Sequence, residues 1–412
     1  MTVTHRDEDL LSLASDDPHR AFAHEALAFL DQRCPRRTKT VAQWGVGDED
    51  LALFEESTPD EERDQVAAAR AWQQERWSAG FGWITGPAEY GGRGLDVSYE
   101  RLYRKIEAAF DVPDARPLRV GLGTVGPPIQ IHGTPDQVAT YGAGIFRGDL
   151  IACQLFSEPG AGSDLAGVRS RAVRTDAGWV LNGQKVWTSN AQFADVGLAL
   201  MRTDPDVPKH QGITAFLVPM DTPGVDVRPL RQMTGGASFN EVFLNDVTLP
   251  DELRLGAVGA GWRVALDTLS AERGDTGDRS HELTSRALEL LWQAAERSGR
   301  AEDPRIREAW SIVYGHVRAA RFQQTKISGL GDAAGAVDKL LLVANLRRIA
   351  DLARELIGPE MVVDHGEWGT FAWNRFLMGS LGYRIAGGTD EVLRGNVASK
   401  ALGMPSEGRA RG

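Results

Sequence analysis

Cysteine is nearly missing from this sequence. Its 412 residues contain two, Cys34 and Cys153. Two thiols cannot build a disulfide framework or, by themselves, a zinc site, so they read as buried or incidental reduced thiols. Long apolar runs are missing as well. The longest, 196–201 and 340–344, fall far below the ~18 residues of a membrane span. The opening MTVTHRDEDLLSLASDD is charged and carries no apolar stretch, so no signal peptide is expected there. Positive charge is in deficit, leaving a net charge of −11. A field of that sign disfavours nonspecific contact with nucleic acid or an anionic membrane, while leaving room for a local basic pocket. The histidines, among them His132, His210, His281, His316 and His365, are scattered without Ser-His-Asp or metal-ligand spacing. These absences point to a soluble cytoplasmic protein with no metal centre.

What is abundant is glycine, 46 residues, above the usual ~7%. At roughly 100–200 residues per domain the length allows two to four domains, and three compositional zones are visible. Residues 1–150 read as helices, over 19–30, 63–79 and 98–109, with a Gly/Pro-rich loop at 83–95. A Gly/Pro-punctuated stretch covers 121–128, and a short helix begins at Pro135. Residues 151–250 read as short strands. Gly178–Ser189 divides into two strands around Asn182-Gly183, a hairpin signal. Further strands are expected at 193–201, 212–220, 225–230 and 241–249, giving a small all-β barrel or sandwich. Residues 251–412 read as helices at 262–273, 281–297, 304–329, 335–356 and 390–401, the last with Thr389 as N-cap.

Three segments carry chemistry. Gln154–Gly167, QLFSEPGAGSDLAG, combines Gly160, Gly162 and Gly167 with Ser157, Ser163 and Asp164. Such a loop exposes backbone N–H groups to an anion or the edge of a heterocycle. It lacks the G-x-G-x-x-G setting of a Rossmann unit, and alone reads equally as a surface turn. Trp187-Thr188-Ser189-Asn190 places a planar ring beside small hydroxyls, which suits an extended heterocycle or an ordinary strand end. In IAGGTDEVLRGNVASKALGMP (385–405), Gly387-Gly388 allows close backbone approach, and Thr389 opens a helix whose N-terminus favours anions.

In this order, together with EYGGRG (Glu89–Gly94), KVWTSNA and GITAFLVPMDTPGV, these segments resemble the acyl-CoA dehydrogenase family over nearly the whole chain. The resemblance implies an α+β multidomain fold: an N-terminal helical domain (1–150), a middle β-barrel (151–250) and a C-terminal four-helix bundle (251–412). It implies FAD as cofactor, oxidation of an acyl-CoA thioester to the trans-2-enoyl-CoA, and transfer of electrons to an electron-transferring flavoprotein. The expected assembly is a homodimer or homotetramer, or a heterotetramer with a related subunit. Gln154, Phe156, Ser157, Gly162, Ser163, Trp187, Ser189, Thr389 and Glu391 match cofactor positions. Ser163, Arg273, Gly387 and Gly388 match substrate positions, with the Gly387 N–H as a donor to the thioester carbonyl.

The reaction removes a proton from Cα and a hydride from Cβ, which calls for an oxyanion-type site and a carboxylate in a dry pocket. Many relatives keep that carboxylate where this chain has Gly387. Those similar to isovaleryl-CoA and long-chain acyl-CoA dehydrogenases keep it early in the C-terminal domain, and the matching residue here is Glu272. Trp262, Leu266, Leu269 and Glu272 follow 3–4 spacing, so Glu272 falls on an apolar helical face. A carboxylate there is a base or an ion-pair partner by pattern; the resemblance implies the base.

Three departures from the family pattern stand out. Residues 274–279, GDTGDR, are more polar than usual and point to a wider pocket or a kinked helix. The Arg-x-x-Phe-Gly contact to FAD across a subunit boundary is missing from 297–310, and Pro359 replaces a residue with an N–H in 355–359. Such departures resemble actinobacterial-type members, some of which act on steroid side chains or other bulky thioesters. Two other functions share the scaffold: an oxygen-using relative (acyl-CoA oxidase or flavin monooxygenase), and a noncatalytic subunit of a heteromeric dehydrogenase.

Overall fold

The computed structural model describes residues 3–4, 7–14, 16–39, 51, 53–54, 58–274, 277–327, 333–363 and 371–405. The chain divides into two compact units. One comprises 1–41, 57–230 and 239–268; the other comprises 42–56, 231–238 and 269–412.

The first unit opens with a two-stranded pairing of β1 (Val3–Thr4) and β2 (Thr38–Lys39), and with helices α1 (Asp7–Leu11), α2 (Asp17–Asp31), α3 (Pro59–Ser78) and α4 (Val97–Glu107). The starts of the longer helices are written in the sequence. Asp16 caps α2 by accepting from His19 N. Thr58 and Glu61 form a reciprocal capping box on α3, with Pro59 at its first turn. Phe22, Phe29, Trp72, Phe81, Tyr103 and Phe110 fill the core these helices share. The loop expected at 83–95 contains one short turn, Ala88–Tyr90.

The Gly/Pro-punctuated stretch at 121–128 is helical. A π-turn at Gly121–Val125 runs into α5 (Gly126–His132), followed by α6 (Pro135–Gln137), another π-turn and α7 (Ala143–Arg147). Pro127 sits in the first turn of α5, directly after the π-turn. A Cβ on Gly126 would come within 2.8 Å of the Phe146 ring, so glycine here serves close packing and not a turn.

The same unit holds one eight-stranded sheet, built from β3 (Ala152–Leu155), β4 (Arg171–Thr175), β5 (Gly178–Ser189), β6 (Val196–Arg202), β7 (Ile213–Pro219), β8 (Val225–Leu230), β9 (Phe239–Leu249) and β10 (Arg254–Leu255). The order is β10-β7-β6-β4-β5-β9-β8, with β3 parallel to β6. The expected hairpin at Asn182-Gly183 is not there. β5 runs through it unbroken, and the reversal lies six residues earlier, at 176–177 between β4 and β5. Asn182-Gly183 marks instead a register shift against β9. A Cβ on Gly183 would lie 2.1 Å from Ser170 Oγ, so this glycine admits a neighbouring chain. Asn182 completes the irregularity by exchanging two hydrogen bonds with Asp246, whose φ is 51°. β6 and β7 are buried at nearly every position, as central strands should be.

α8 (Gly261–Gly274) leads into the second unit, where α9 (Gly277–Arg297), α10 (Pro304–Ile327), α11 (Ala334–Ile357) and α12 (Phe371–Tyr383) form a bundle. Its core includes Leu291, Val313, Leu346, Ile349, Trp373 and Phe376. α12 was not foreseen in the sequence. α13 (Asp390–Asn396) continues through a π-turn to Ala401. Among the described residues no helix is long and apolar enough to cross a membrane, and no group of His, Cys, Asp or Glu is arranged to hold a metal ion.

Candidate functional site

The candidate residues fall into two groups, one in each unit. In the first unit β3 delivers Gln154, half-buried, and leads to Phe156, 3% exposed, and Ser157. The glycine-rich segment then folds tightly on itself: Glu158 and Ala161 exchange both backbone hydrogen bonds, at 3.1 and 3.0 Å. Gly162 and Ser163 stand exposed at its outer side, and a Cβ on Gly162 would meet nothing within 4 Å. Asp164 is engaged by Lys209, Nζ to Oδ1 2.6 Å.

β5 supplies the second edge. Val186 N donates to Ser157 O at 2.9 Å, tying β5 to the glycine-rich segment. The next residue, Trp187, has φ 60°, in the left-handed region, and lies where the β5–β9 register shifts between Lys185 and Thr188. Trp187 is 63% exposed, and its ring meets the edge of Phe239, ring centroids 6.0 Å apart. A large aromatic displayed on strained backbone is an arrangement that folding alone does not reward. Thr188 is buried while Ser189 is half-buried on the Trp187 side of the strand. A flat apolar ring with a hydroxyl two residues away fits one face and one edge of an isoalloxazine. Two open clefts of ≈ 490 and ≈ 610 Å³ share Arg169 and Arg171, but neither is lined by Trp187, Ser157 or Ser189, so they are not this platform.

Beneath the platform lies a buried ion pair that was missed in the sequence. Lys185, 0% exposed, donates to Glu158 Oε1 (2.7 Å), Phe156 O (3.2 Å) and Leu200 O (2.7 Å). The Glu158 carboxylate also accepts from Arg169 N (2.7 Å) and Ser170 N (2.9 Å). Burial alone would raise the Glu158 carboxyl. The Lys185 charge and these donors outweigh it and hold the group below the usual carboxylate range. Burial pushes the Lys185 ammonium down to about 8 against the pull of Glu158. The signal available in the sequence was the single Lys in the strand pattern GQKVW facing the single Glu of SEPG.

The second group rests on α8, α11 and the turn before α13. The apolar face expected on α8 is rotated. Leu266 is 41% exposed, while Val264, Ala265 and Thr268 are 0% exposed. Glu272 lies one turn beyond Thr268, so it extends the buried face by a different set of residues than Trp262, Leu266 and Leu269. Glu272 itself is half-buried. The Arg273 side chain and residues 275–276, where a wider pocket or kink was expected, lie outside the described residues.

Gly387 and Gly388 have φ of 64° and 100°, backbone that L side chains rarely adopt. A Cβ built on Gly387 would lie 3.5 Å from Glu272 Oε1 and 3.8 Å from Lys339 Nζ. The Glu272 carboxylate therefore reaches the place where a side chain at 387 would begin. Thr389 caps α13, Oγ1 accepting from Val392 N at 3.3 Å, and Arg384 Nε reaches Asp390 Oδ2 at 3.3 Å across the turn. Glu391 is exposed; hydrogen bonding at the helix start, led by its own backbone N–H, lowers its carboxyl. Lys339 on α11, also unforeseen, donates to Ala386 O and Gly388 O. The segments lacking the family's cofactor contacts are joined to each other: Arg300 Nη1 donates to Glu355 O at 2.6 Å.

The first unit thus sets a glycine-rich segment against an exposed tryptophan, and the second sets a carboxylate beside a strained diglycine turn. Residues 153–247 match the acyl-CoA dehydrogenase middle domain, and residues 259–402 match the acyl-CoA dehydrogenase C-terminal domain. The acyl-CoA dehydrogenase IpdE1 of Mycobacterium tuberculosis is 36% identical over 85% of this chain and 92% of its own. The acyl-CoA dehydrogenase FadE34 of the same organism is 39% identical over 84% of this chain, which spans about half (47%) of that longer protein. The solved structure of the Tcur3481-Tcur3483 steroid ACAD shares the fold, with a TM-score of 0.69 at 24% identity, covering 96% of this chain and 100% of its own. The chain belongs to the acyl-CoA dehydrogenase family. It is an oxidoreductase acting on CH–CH groups, with FAD as its cofactor.

Proposed function

We propose that the chain dehydrogenates a bulky acyl-CoA thioester between Cα and Cβ, with Glu272 as the base. The observation that carries this reading is the 3.5 Å between Glu272 Oε1 and the Cβ position of residue 387. Relatives that keep their carboxylate at 387 and this chain, which keeps it on α8, bring an acid to one place by two routes. Glu272 takes the α-proton, and the Gly387 N–H donates to the thioester oxygen as negative charge gathers there. Trp187 presents its ring to the isoalloxazine, and Ser157, Ser163 and Ser189 supply polar contacts around it. Thr389 and Glu391 stand at further cofactor positions. Bound FAD supplies the acceptor for the hydride lost from Cβ. Electrons then pass to an electron-transferring flavoprotein. The steroid ACAD among the structural neighbours favours a polycyclic acyl group as the first to try.

Anaerobic titration with straight-chain, branched and steroid side-chain CoA thioesters tests the reaction class and the substrate together. At least one should bleach the flavin, and bleaching by none would overturn the reading. Glu272→Gln, with FAD retained, should slow flavin reduction by roughly 10²–10⁴-fold; unchanged reduction would remove Glu272 from the role. Peroxide formed in air without another acceptor would reassign the chain as an oxidase.

A further inference from the structure

The turn holding Gly387 is fastened by a residue outside the family resemblance drawn above. Lys339 donates from one ammonium to two carbonyls, Ala386 O and Gly388 O, which flank Gly387 on either side. Ala386 O belongs to the same peptide unit as the Gly387 N–H. The peptide joining Ala386 and Gly387 is trans, so that C=O and N–H point in opposite directions across one rigid plane. A cation held on the oxygen therefore aims the N–H away from Lys339. It also draws electron density through the amide, which makes the N–H a stronger donor. Gly388 O fixes the following peptide unit in the same way, and with it the N–H of Thr389.

The turn needs such a fastening. Gly387 and Gly388 have unusually free backbones, and their φ values of 64° and 100° are held only where the surroundings determine them. Thr389 and the Arg384–Asp390 contact secure the helical side of the turn. Lys339 secures the glycine side from a different element, α11.

We propose that Lys339 is a positioning residue for the reaction: its grip on Ala386 O and Gly388 O orients and polarises the Gly387 N–H that receives the thioester carbonyl. This rests on the assignment of Gly387 as that donor.

The test compares the FAD-loaded wild-type chain with Lys339→Met and Lys339→Arg. Without substrate, hydrogen–deuterium exchange of the peptide spanning 384–393 should be at least tenfold faster in Lys339→Met, with Lys339→Arg closer to wild type. An unchanged rate overturns the proposal whatever the substrate proves to be. For the thioester that bleaches the wild-type flavin, labelled with ¹³C at its carbonyl, binding should shift the carbonyl stretch to lower frequency. Lys339→Met should lose much of that shift. Its limiting rate of flavin reduction should fall about 10–100-fold while thioester affinity changes less than about threefold. Faster exchange with an unaltered carbonyl frequency and rate would make Lys339 merely structural and overturn the proposal. If no thioester bleaches the wild type, the dehydrogenase reading falls, and the exchange comparison alone decides whether Lys339 holds the turn. Should Lys339→Met fail to fold, Lys339→Gln carries the comparison, because it keeps a polar side chain but removes the charge that holds both carbonyls.

Discussion

At the scale of single residues, the exchange of a carboxylate between two chain positions is open to direct test. Glycine at 387 has φ 64°, so any side chain there is strained by about 1–2 kcal/mol. A Cβ would nevertheless meet Glu272 Oε1 and Lys339 Nζ only at 3.5 and 3.8 Å, ordinary contact distances. Space does not forbid a side chain; a second carboxylate beside the first does, because two like charges cannot both ionise cheaply. Gly387→Glu in the wild-type background is expected to slow flavin reduction. In the Glu272→Gln background the repulsion is gone, and Gly387→Glu should recover at least tenfold of the lost rate. Stopped-flow reduction by the panel thioester checks this; a double variant no faster than Glu272→Gln would show that the two positions do not serve one proton.

At the scale of elements, the Lys185–Glu158 pair joins β5, β6 and the glycine-rich segment through contacts to Phe156 O, Leu200 O and the N–H groups of Arg169 and Ser170. Removing one partner of such a buried pair costs about 3–5 kcal/mol, because the other charge is left uncompensated. The sign with pH follows from Glu158, whose folded carboxyl lies below its ordinary 4.5. Its stabilisation is complete above that value and is lost as pH falls through the lower, folded one. Lys185→Met should therefore destabilise strongly at pH 7, and the gap from wild type should narrow only as pH falls below 4.5 and through the lower folded value of Glu158. Urea unfolding at both pH values measures this, and a gap independent of pH would rule out the ion pair as the cause. The elements themselves were largely legible in the sequence. Amphipathic pattern placed α2 and α3, Thr389 as a cap placed α13, and short apolar segments bounded by turn residues placed β6 and β7. The hairpin expected at Asn182-Gly183 failed for a physical reason. Gly126 and Gly183 look like turn residues, yet each gives room to a neighbour, the Phe146 ring in one case and Ser170 in the other. That neighbour comes from tertiary packing, which local pattern does not contain. The positions of Ser157, Trp187, Glu272 and Gly387 were readable from motifs. Lys185 and Lys339 were not, because each acts on backbone carbonyls contributed by distant segments.

For the molecule as a whole, the net charge of −11 and the surplus of glycine acquire structural meaning. The acidic balance coexists with basic residues committed locally, such as Lys185 on Glu158 and Lys339 on two carbonyls. Glycine divides between close packing and the strained turn. The strain at Trp187 has a consequence for the global folding equilibrium. A non-glycine residue at φ 60° costs on the order of 1–3 kcal/mol. Trp187→Gly would relieve it, but forfeits the edge contact with Phe239, about 0.5–1.5 kcal/mol, and loosens the unfolded chain by ~0.4–1 kcal/mol. These nearly offset, so the FAD-free stabilities of variant and wild type should agree within about 1–2 kcal/mol. A ligand that binds only the folded chain adds RT ln(1 + [L]/Kd), about 2.7 kcal/mol at 100 Kd. The wild type should accordingly gain thermal stability steadily with added FAD, and Trp187→Gly should need at least tenfold more FAD for the same gain. Melting curves across an FAD series give both quantities. A variant that melts far below wild type without FAD, or that responds equally to FAD, would show that the exposed indole serves folding and not the cofactor.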